Sequence, residues 1–174
     1  KLVGNINCLM LEANNIGAEG VKSLAISSNL KNLKTLFLDS NPIGADGAEA
    51  LAESTCLPSL SALHLDSTGL GDQGAKAIAT TQTLTKIEKL YLCSNKIGDE
   101  GAIALAQSPN LENLNCLSIW RNEIRDAGGK AIAESKYFLK LERLYMSLNL
   151  IEKPIRKVIR GSELASRLKT LVMD

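Results

Sequence analysis

The side chains best suited to chemistry in this sequence are one histidine, one cysteine and two aspartates at related positions. His64 lies two residues before Asp66, while Asp39 and Cys93 lie at equal separations along the chain on either side of Asp66. An imidazole beside a thiol and a carboxylate is the arrangement that activates a cysteine nucleophile. On neighbouring strands, however, His64 and Cys93 would be diagonal neighbours about 7–8 Å apart, too far for direct proton transfer. Because nothing in the sequence resembles an oxyanion hole or a pocket, we predict that the chain is not an enzyme.

A row of carboxylates raises the question of a metal site. Glu12, Asp39 and Asp66 follow one another at the same spacing, and hard cations such as calcium take oxygen ligands. Three single carboxylates on an open sheet leave most of a calcium shell to water, so we expect neither a metal ion nor a cofactor. The four cysteines form no C-x-x-C pair and no Cys/His cluster, which argues against zinc and favours reduced thiols in the cytoplasm.

The spacing of these residues belongs to a repeat with a period of 27 positions that runs along the chain. One apolar column consists of Ile6, Leu33, Leu60, Ile87, Leu114, Leu141 and Leu168. A polar column consists of Asn14, Asn41, Thr68, Asn95, Asn122 and Asn149. A second apolar column consists of Ile16, Ile43, Leu70, Ile97, Ile124 and Ile151. Three columns in one register indicate a repeat protein.

Each unit reads approximately L-x-x-L-x-L-x-x-N-x-I-G-x-x-G-A-x-x-L-A, most clearly in Ile87 to Ala106. This pattern resembles the leucine-rich repeat, specifically the ribonuclease-inhibitor type with a full helix in every repeat. The resemblance implies an α/β fold: a right-handed solenoid shaped as a horseshoe arc, with a parallel concave sheet of about seven strands and convex helices. We expect a single solenoid of about six and a half repeats over residues 1–174. Because no atypical capping unit precedes the first repeat, we expect a fragment of a longer protein.

The unit also predicts its own local structure. Alternation in residues 35–39 places Leu36 and Leu38 in the core and the other three side chains outside. The turn asparagine should bond stranded backbone groups, and the glycine that follows should adopt a positive φ. Carboxylates are favoured at helix N-termini, where we expect Asp46, Asp72, Asp99 and Asp126.

The pattern changes towards the end of the chain. Arg125 and Glu152 replace the turn glycine, Ile155 replaces the helix glycine and Arg160 replaces a buried alanine. The six basic residues between positions 152 and 169 are Lys153, Arg156, Lys157, Arg160, Arg167 and Lys169. This segment is interpreted as an end-specific helix, a basic docking surface or an ordinary solvated helical face.

The outward strand positions predict a binding surface on the concave face. Four of the six aromatic residues project from it: Phe37, Tyr91, Trp120 and Tyr145. Aromatic side chains concentrated on one surface are typical anchors of protein-binding sites, although they also pack well against cross-strand neighbours.

Charge is sorted along the same face. Its acidic half consists of Glu12, Asp39 and Asp66, and its basic half consists of Lys89, Arg121 and Arg143. Such a pattern would orient a partner with complementary charges. His64, between the two halves, would make a polar contact whose strength varies near neutral pH.

We therefore predict a monomeric protein-interaction module that binds a protein partner through the concave face. Its contact residues would be Met10, Glu12, Phe37, Asp39, His64, Asp66, Lys89, Tyr91, Trp120, Arg121, Arg143 and Tyr145. The net charge of +1 and the acidic row argue against nucleic acid, despite aromatic and basic side chains that could stack bases and hold phosphates. No apolar run approaches the length needed to span a membrane.

The resemblance leaves other regulatory functions open. Some leucine-rich repeat proteins are GTPase-activating proteins, and Arg121 beside Asn122 is a loop arginine of the kind that such a protein would use. Others are the sensor regions of NOD-like receptors. The very regular period is more similar to that of microbial or effector-type members, so the host cytosol is the expected compartment if the protein is a secreted effector.

Overall fold

The computed structural model describes residues 5–174, which form one parallel sheet with a layer of helices beside it. The strands are β1 (Cys8–Met10), β2 (Thr35–Phe37), β3 (Ala62–His64), β4 (Lys89–Tyr91), β5 (Cys116–Ser118), β6 (Arg143–Tyr145) and β7 (Thr170–Val172). The helices are α1 (Ala18–Ala25), α2 (Gly44–Ala52), α3 (Gly71–Thr80), α4 (Asp99–Ala106), α5 (Asp126–Ala133), α6 (Lys153–Arg160) and α7 (Glu163–Arg167). Short 3-10 segments at Ser28–Leu30 and Pro109–Leu111 follow α1 and α4. Residues 1–4, the start of the predicted solenoid, lie outside the described residues.

The strands pair in sequence order from β1 to β7, each parallel to the next. Paired residues occupy the same position of successive repeats, as in Leu36 with Leu63 and Leu63 with Leu90. Each of the first six strands is followed by a helix that leads the chain back to the start of the next strand. The units therefore stack into a right-handed α/β solenoid with the shape of a horseshoe arc, and the predicted fold class is confirmed.

The hydrophobic core lies between the sheet and the helices and runs along the stack. Leu36 and Leu38 are fully buried while Thr35, Phe37 and Asp39 are only partly covered, as the alternation predicts. The buried helix column consists of Leu51, Ile78, Leu105, Ile132 and Ile159. Each such side chain contributes about 1.5–3 kcal/mol on burial, so these stacked columns dominate the stabilisation. Within residues 5–174, no helix is both long enough and apolar enough to cross a membrane.

The predicted asparagine ladder is present and connects neighbouring repeats. The Oδ1 atom of Asn122 accepts hydrogen bonds from the backbone N–H groups of Asn95 and Ile97 in the preceding repeat, at 2.9 and 3.1 Å. Its Nδ2 atom donates to the carbonyl groups of Leu92 and Ile119, each at 3.0 Å. One buried amide thus satisfies four backbone groups that a tight turn would otherwise strand.

A second ladder, which was not predicted from the sequence, closes the other end of helices α1 to α4. Hydroxyl groups at one repeat position donate to the last carbonyl groups of the preceding helix, as Ser54 does to Ala25 and Ser108 to Ala79, each at 2.5 Å. A helix C-terminus leaves carbonyl groups without partners inside the helix, and a hydroxyl satisfies one of them. The signal available in the sequence was a serine or threonine at the same position of every repeat, from Ser27 to Ser162.

The predicted role of the helix aspartates was wrong in one respect, because their carboxylates serve the next repeat. The Oδ1 atom of Asp99 accepts from the N–H groups of Arg125 and Gly128, at 2.9 and 2.7 Å, at the start of α5. Asp72 bonds the start of α4 and Asp126 bonds Glu152 in the same way. Asp46 is shifted by one position within its repeat, where Ala45 takes the equivalent place, and it is exposed without such a bond.

The expected positive φ of the turn glycine is found in only two repeats. Gly44 and Gly71 have φ of 63° and 59°, whereas Gly17 and Gly98 are extended, with φ of −88° and −97°. In the repeats before Gly44 and Gly71, an alanine stands at the position that Asp72, Asp99 and Asp126 occupy in later repeats. No carboxylate from the preceding repeat therefore bonds these two helix starts. Arg125 also has an extended backbone, which any residue adopts, and this explains why the later repeats dispense with glycine there.

The last repeat differs from the others in its packing. Ile155 occupies the helix position where a glycine allows the earlier helices to approach, and α6 packs less closely on α5. A Cβ atom on Gly128 would lie 2.9 Å from the Cβ atom of Ala102, so glycine is needed where two helices do approach closely. Arg160 is exposed and donates to the carbonyl of Met173, and Arg156 donates to the carbonyl groups of Ile151 and Asp174. These contacts fit an end-specific helix.

Candidate binding surface

The concave face is formed by outward residues of the strands and by the residues that follow them. The middle column pairs in register as Met10, Phe37, His64, Tyr91, Ser118, Tyr145 and Val172. The next column contains the acidic residues, Cys93 and Trp120. Each strand is three residues long, and its middle residue is a leucine that packs in the core. The outward side chains on either side of that leucine are therefore held in position by the core.

Three rings in the middle column pack on one another. The Phe37 and His64 ring centroids are 4.0 Å apart with planes at 30°, and those of His64 and Tyr91 are 4.2 Å apart at 15°. We refer to Phe37, His64 and Tyr91 as the ring stack. These predicted contact residues are therefore brought together, and each presents only part of its ring to solvent because its faces contact its neighbours. The alternative that aromatics pack against cross-strand neighbours describes this half of the face.

The position of His64 in the ring stack favours its neutral form. Burial lowers the pKa of His64, while the carboxylates of Asp66 and Glu12 act in the opposite direction. The predicted polar contact of His64 with a partner, with a strength that varies near neutral pH, stays a prediction.

Beyond the ring stack, one small side chain separates Tyr91 from Tyr145. Ser118 lies between them in register, and both Ser118 and Cys116 are buried. The Tyr91 hydroxyl lies 3.8 Å from the Cys116 sulfur, and burial and this contact raise the pKa of Tyr91 to about 12. All outward strand positions were predicted to be exposed. At Ser118, Cys116 and Ser147 this prediction was wrong, because large neighbours cover these side chains.

Two of the three carboxylates of the acidic half, those of Asp39 and Asp66, bond the protein's own backbone. Asp39 Oδ1 accepts from the N–H of Asp66, and Asp66 Oδ1 accepts from the N–H of Cys93, each at 2.7 Å. Burial raises the pKa of Asp39, and the neighbouring charges of Asp66 and Glu12 add to the effect. The predicted stacking of like charges is thus offset by hydrogen bonds to the next strand.

The most exposed large side chains of the face lie outside the ring stack. Met10 is 66% exposed, Val172 41% and Trp120 38%. Arg121, next to Trp120, is exposed and has a left-handed backbone with φ of 55°. Trp120 is therefore the most exposed aromatic side chain of the face, while Tyr145 is half-buried like the rings of the stack.

The environment of Cys93 does not favour a nucleophile. Its sulfur lies 3.0 Å from the hydroxyl of Ser118, and burial raises the pKa of the thiol to about 11. A thiol with such a pKa is protonated at neutral pH, whereas the thiolate is the reactive form. The imidazole of His64 is instead stacked between two rings. In the part of the chain that the structure describes, no group of three or more His, Cys, Asp or Glu side chains could hold a metal ion.

Two grooves lie outside the concave face. One of about 760 Å³ runs between α1 and α2 and is lined by residues such as Lys22, Ile26, Glu49 and Glu53. Another of about 560 Å³ lies beside α6 and α7 and contains Leu139 and Val158, which are 65% and 51% exposed. Neither groove was predicted from the sequence, because both form where helices of different repeats meet.

The fold and its concave face define an α/β solenoid scaffold made of short repeats. A family model described as Leucine Rich repeat matches residues 5–25, 29–52, 56–79, 83–106 and 110–133, and the chain belongs to the leucine-rich repeat family. A comparison with curated proteins found no match.

Two solved structures share this fold. An internalin, inlF from Listeria monocytogenes, is similar with a TM-score of 0.53 and 20% identity over 84% of this chain. The match spans 44% of the internalin chain. Leiomodin-1 Actin-Binding Site 2 is similar with a TM-score of 0.52 and 21% identity over 86% of each chain. At these identities the likeness concerns the fold.

Proposed function

We propose that the protein is an interaction module that binds a protein partner through its concave face. The observation that carries this proposal is the set of large side chains presented there, above all Met10, Trp120 and Tyr145. Aromatic side chains at the centre of a surface, surrounded by polar groups, are the usual anchors of protein interfaces. The similar fold of Leiomodin-1 Actin-Binding Site 2, which is named for its binding to actin, supports a binding role.

Within the interface, the twelve predicted contact residues take different roles. Phe37, His64 and Tyr91 form a preformed flat platform, because they already pack on one another. Trp120 and Tyr145 project beside it and act as anchors. Asp39 and Asp66 hold neighbouring strands and contribute charge at the edge.

The experiment is a pull-down with the purified chain and with a Trp120→Ala/Tyr145→Ala variant, followed by measurement of the affinity for each recovered partner. A Leu139→Ala/Val158→Ala variant is the matched control, since it removes two exposed apolar side chains from the convex side. We expect at least a tenfold loss of affinity for the concave variant only, which corresponds to about 1.4 kcal/mol. Loss with the convex variant only would contradict the proposal.

We also propose that the chain belongs to the ribonuclease-inhibitor type and works in a reducing compartment such as the cytoplasm. All four cysteines are free, and the buried Cys116 occupies a position that another small apolar side chain could fill. The α-helix that follows each of the first six strands supports the subfamily. A monomer is the expected state.

A regulatory function remains the second candidate, favoured by one observation. Arg121 is exposed at the edge of the sheet, on a backbone with φ of 55°, and makes no ion pair in residues 5–174. A GTPase-activating protein supplies or positions a cation beside the developing negative charge of the nucleotide. Stimulated GTP hydrolysis that is lost in Arg121→Ala would support this candidate, and unchanged hydrolysis by a bound GTPase would exclude it.

A further inference from the structure

Two exposed leucines stand at the loop edge of the sheet, in the turn that follows β6. Leu148 and Leu150 are 52% and 47% exposed, on either side of the ladder residue Asn149. Single exposed leucines are common on protein surfaces and need no explanation, whereas adjoining exposed apolar side chains mark interaction sites. The pair is therefore a candidate contact surface, provided that the repeat itself does not require it.

The repeat does not require leucine at either place. The equivalents of Leu148 in the five earlier repeats are Ala13, Ser40, Ser67, Ser94 and Arg121. Those of Leu150 are Asn15, Pro42, Gly69, Lys96 and Glu123. Nor does the exposure come from the end of the stack, because Arg121 and Glu123 are exposed as well although a further repeat follows them. Both leucines are thus particular to this turn.

The backbone at Leu148 makes a leucine less favourable still. Its φ is 54°, and φ lies between 54° and 58° at all five equivalent residues. The turn therefore imposes a left-handed conformation, which is rare for a bulky side chain and costs free energy. An exposed leucine recovers little of this cost through burial within its own chain. A contact outside the chain explains a residue that the fold disfavours in both respects.

The pair adjoins the concave face at its most exposed aromatic side chain. Trp120 is 38% exposed, and Ser147 occupies the equivalent position after β6. The backbone N–H of Arg121 donates to the carbonyl of Ser147 at 2.9 Å, and Leu148 follows Ser147 in the chain. We refer to Trp120, Leu148 and Leu150 as the edge patch. It continues the proposed binding surface from the sheet onto the loops.

Charge around the edge patch does not favour an ionic partner. Arg121 and Glu123, the equivalents of the leucines one repeat earlier, carry opposite charges, and so do Glu152 and Lys153 after the second leucine. A peripheral lipid site would combine apolar side chains with an excess of cations. The Asp174 carboxylate, which accepts the N–H of the first leucine at 3.0 Å, adds negative charge there instead. An apolar segment of a protein is therefore the occupant that fits.

We propose that the edge patch takes an apolar segment of the protein partner, whose side chains cover Leu148 and Leu150 and extend across Trp120. The inference rests on the proposed function and adds the loop edge and the chemistry of the partner to it. Burial of apolar surface then supplies the affinity, so that binding depends little on salt concentration. The contacting side chains of the partner are large and apolar, such as leucine, methionine or phenylalanine.

The probe is a displayed library of random peptides without tryptophan, selected on the purified chain and then resynthesised singly. We expect bound peptides to carry large apolar side chains and to shift the emission of Trp120, the single tryptophan, to shorter wavelength. A Leu148→Ser/Leu150→Lys variant carries the side chains that Ser94 and Lys96 have two repeats earlier. It should bind about tenfold more weakly or worse. Wild-type affinity should change less than about twofold between about 0.05 and 0.5 M salt.

The matched control is Ile26→Glu, which acts on another exposed apolar side chain. Ile26 is 79% exposed, the highest value among the large apolar residues of the described chain, and it lies outside the concave face. Glutamate stands at its equivalent position one repeat later, as Glu53. This variant should bind peptides like the wild type. Both variants should keep the circular dichroism spectrum and urea midpoint of the wild type, because they change only exposed side chains.

The outcomes separate this inference from the function on which it rests. Peptides that bind the leucine variant as tightly as the wild type, but are lost in Trp120→Ala/Tyr145→Ala, would overturn the inference and leave the proposed function intact. Affinity that falls steeply with salt, or selection of no peptide that distinguishes the leucine variant, would also overturn it.

Two further measurements test the other possible occupants of the edge patch. Sedimentation of the wild type as a dimer that the Leu148→Ser/Leu150→Lys variant abolishes would place a second copy there and overturn the inference. Binding to phosphatidylserine vesicles that is lost in the same variant would place a membrane there, with the same consequence. We expect a monomer in the first measurement and no vesicle binding in the second.

Discussion

The side-chain amides of buried asparagines join the repeats of this protein. The loss in unfolding free energy on removing one depends on how many backbone groups it bonds and on how deeply it is buried. Asn122 is buried and bonds two N–H groups and two carbonyl groups. Asn149, at the equivalent position one repeat later, is less buried and bonds one N–H group, that of Ile124, and the two carbonyl groups of Ile119 and Met146. Loss of an amide leaves its partners unsatisfied, which is costly when water cannot replace it.

We therefore expect Asn122→Ala to lower the free energy of unfolding by about 3 kcal/mol and Asn149→Ala by about 1 kcal/mol. Urea unfolding followed by circular dichroism measures both. An equal loss in the two variants would show that burial of the turn does not control the contribution of the amide.

At the same scale, His64 gives the protein a defined pH dependence. Burial lowers its folded-state pKa below the ordinary value of 6.5, so the unfolded chain binds a proton that the folded chain does not. Stability from this residue is present above 6.5 and is lost as pH falls through that value towards the folded-state pKa. Asp39, whose pKa is raised by burial, acts in the opposite sense at lower pH.

A His64→Phe variant keeps an aromatic ring in the stack and removes the titration. We expect the wild type to lose stability relative to this variant between about pH 7.5 and pH 5.5. The difference between the two unfolding free energies at each pH isolates His64, because Asp39 titrates in both. A difference that stays constant, or that changes in favour of the wild type at low pH, would contradict the effect of burial.

Among the elements, the starts of α4, α5 and α6 are bonded by an aspartate of the repeat before each of them. Where that repeat supplies an aspartate, as Asp99 does for α5, the chain enters the helix extended. Where it supplies an alanine, the entry glycine takes a positive φ. Asp99→Ala should therefore lower stability by about 1–2 kcal/mol, while Asp46→Ala, which removes an exposed aspartate without such bonds, should change it by less than about 0.5 kcal/mol. Thermal or urea unfolding would show the reverse order if the carboxylates acted only on their own helices.

Two glycines at the same repeat position provide a second comparison. Gly17 and Gly44 each have open space where a Cβ atom would lie, but only Gly44 has a positive φ. Gly44→Ala should cost about 1 kcal/mol through backbone strain alone, whereas Gly17→Ala should be nearly neutral. Urea midpoints that shift equally would contradict the difference in entry geometry.

The elements also show what the sequence could and could not predict. The columns of Leu36, Leu51 and Asn122 predicted strands, helices and turns, because a side chain repeated in register has the same surroundings in every unit. The partner of Asp99 could not be predicted in this way, since a column does not reveal whether a side chain serves its own repeat or the next. The variation between alanine and aspartate at that position was visible, but its effect on the following glycine depends on three-dimensional stacking.

The candidate surface was predictable to a similar extent. Alternation placed Phe37, Tyr91, Trp120 and Tyr145 on one face, and the structure agrees. The exposed fraction of each ring could not be predicted, because it depends on which side chains contact that ring. Phe37 and Tyr91 pack against His64, and Trp120 is more exposed than either of them.

For the whole molecule, the solenoid separates stability from recognition. The leucine and asparagine columns hold the arc together, so most outward strand positions are free to vary in chemistry from repeat to repeat. Asp39 and Asp66 are exceptions, because their carboxylates bond the backbone of the next repeat. The face that results has a platform of packed rings beside the exposed ring of Trp120. The convex side differs from it, with mixed polar grooves formed where helices meet.

The central claim is that a protein partner covers the concave face, and hydroxyl-radical footprinting of the complex with a recovered partner tests it most directly. Trp120, the single tryptophan of the chain, and Met10 are exposed and react readily, while Leu139 reports on the convex side. We predict that binding lowers the oxidation of Trp120 and Met10 several-fold and leaves Leu139 unchanged. Protection of Leu139 with unchanged oxidation of Trp120 would contradict the account.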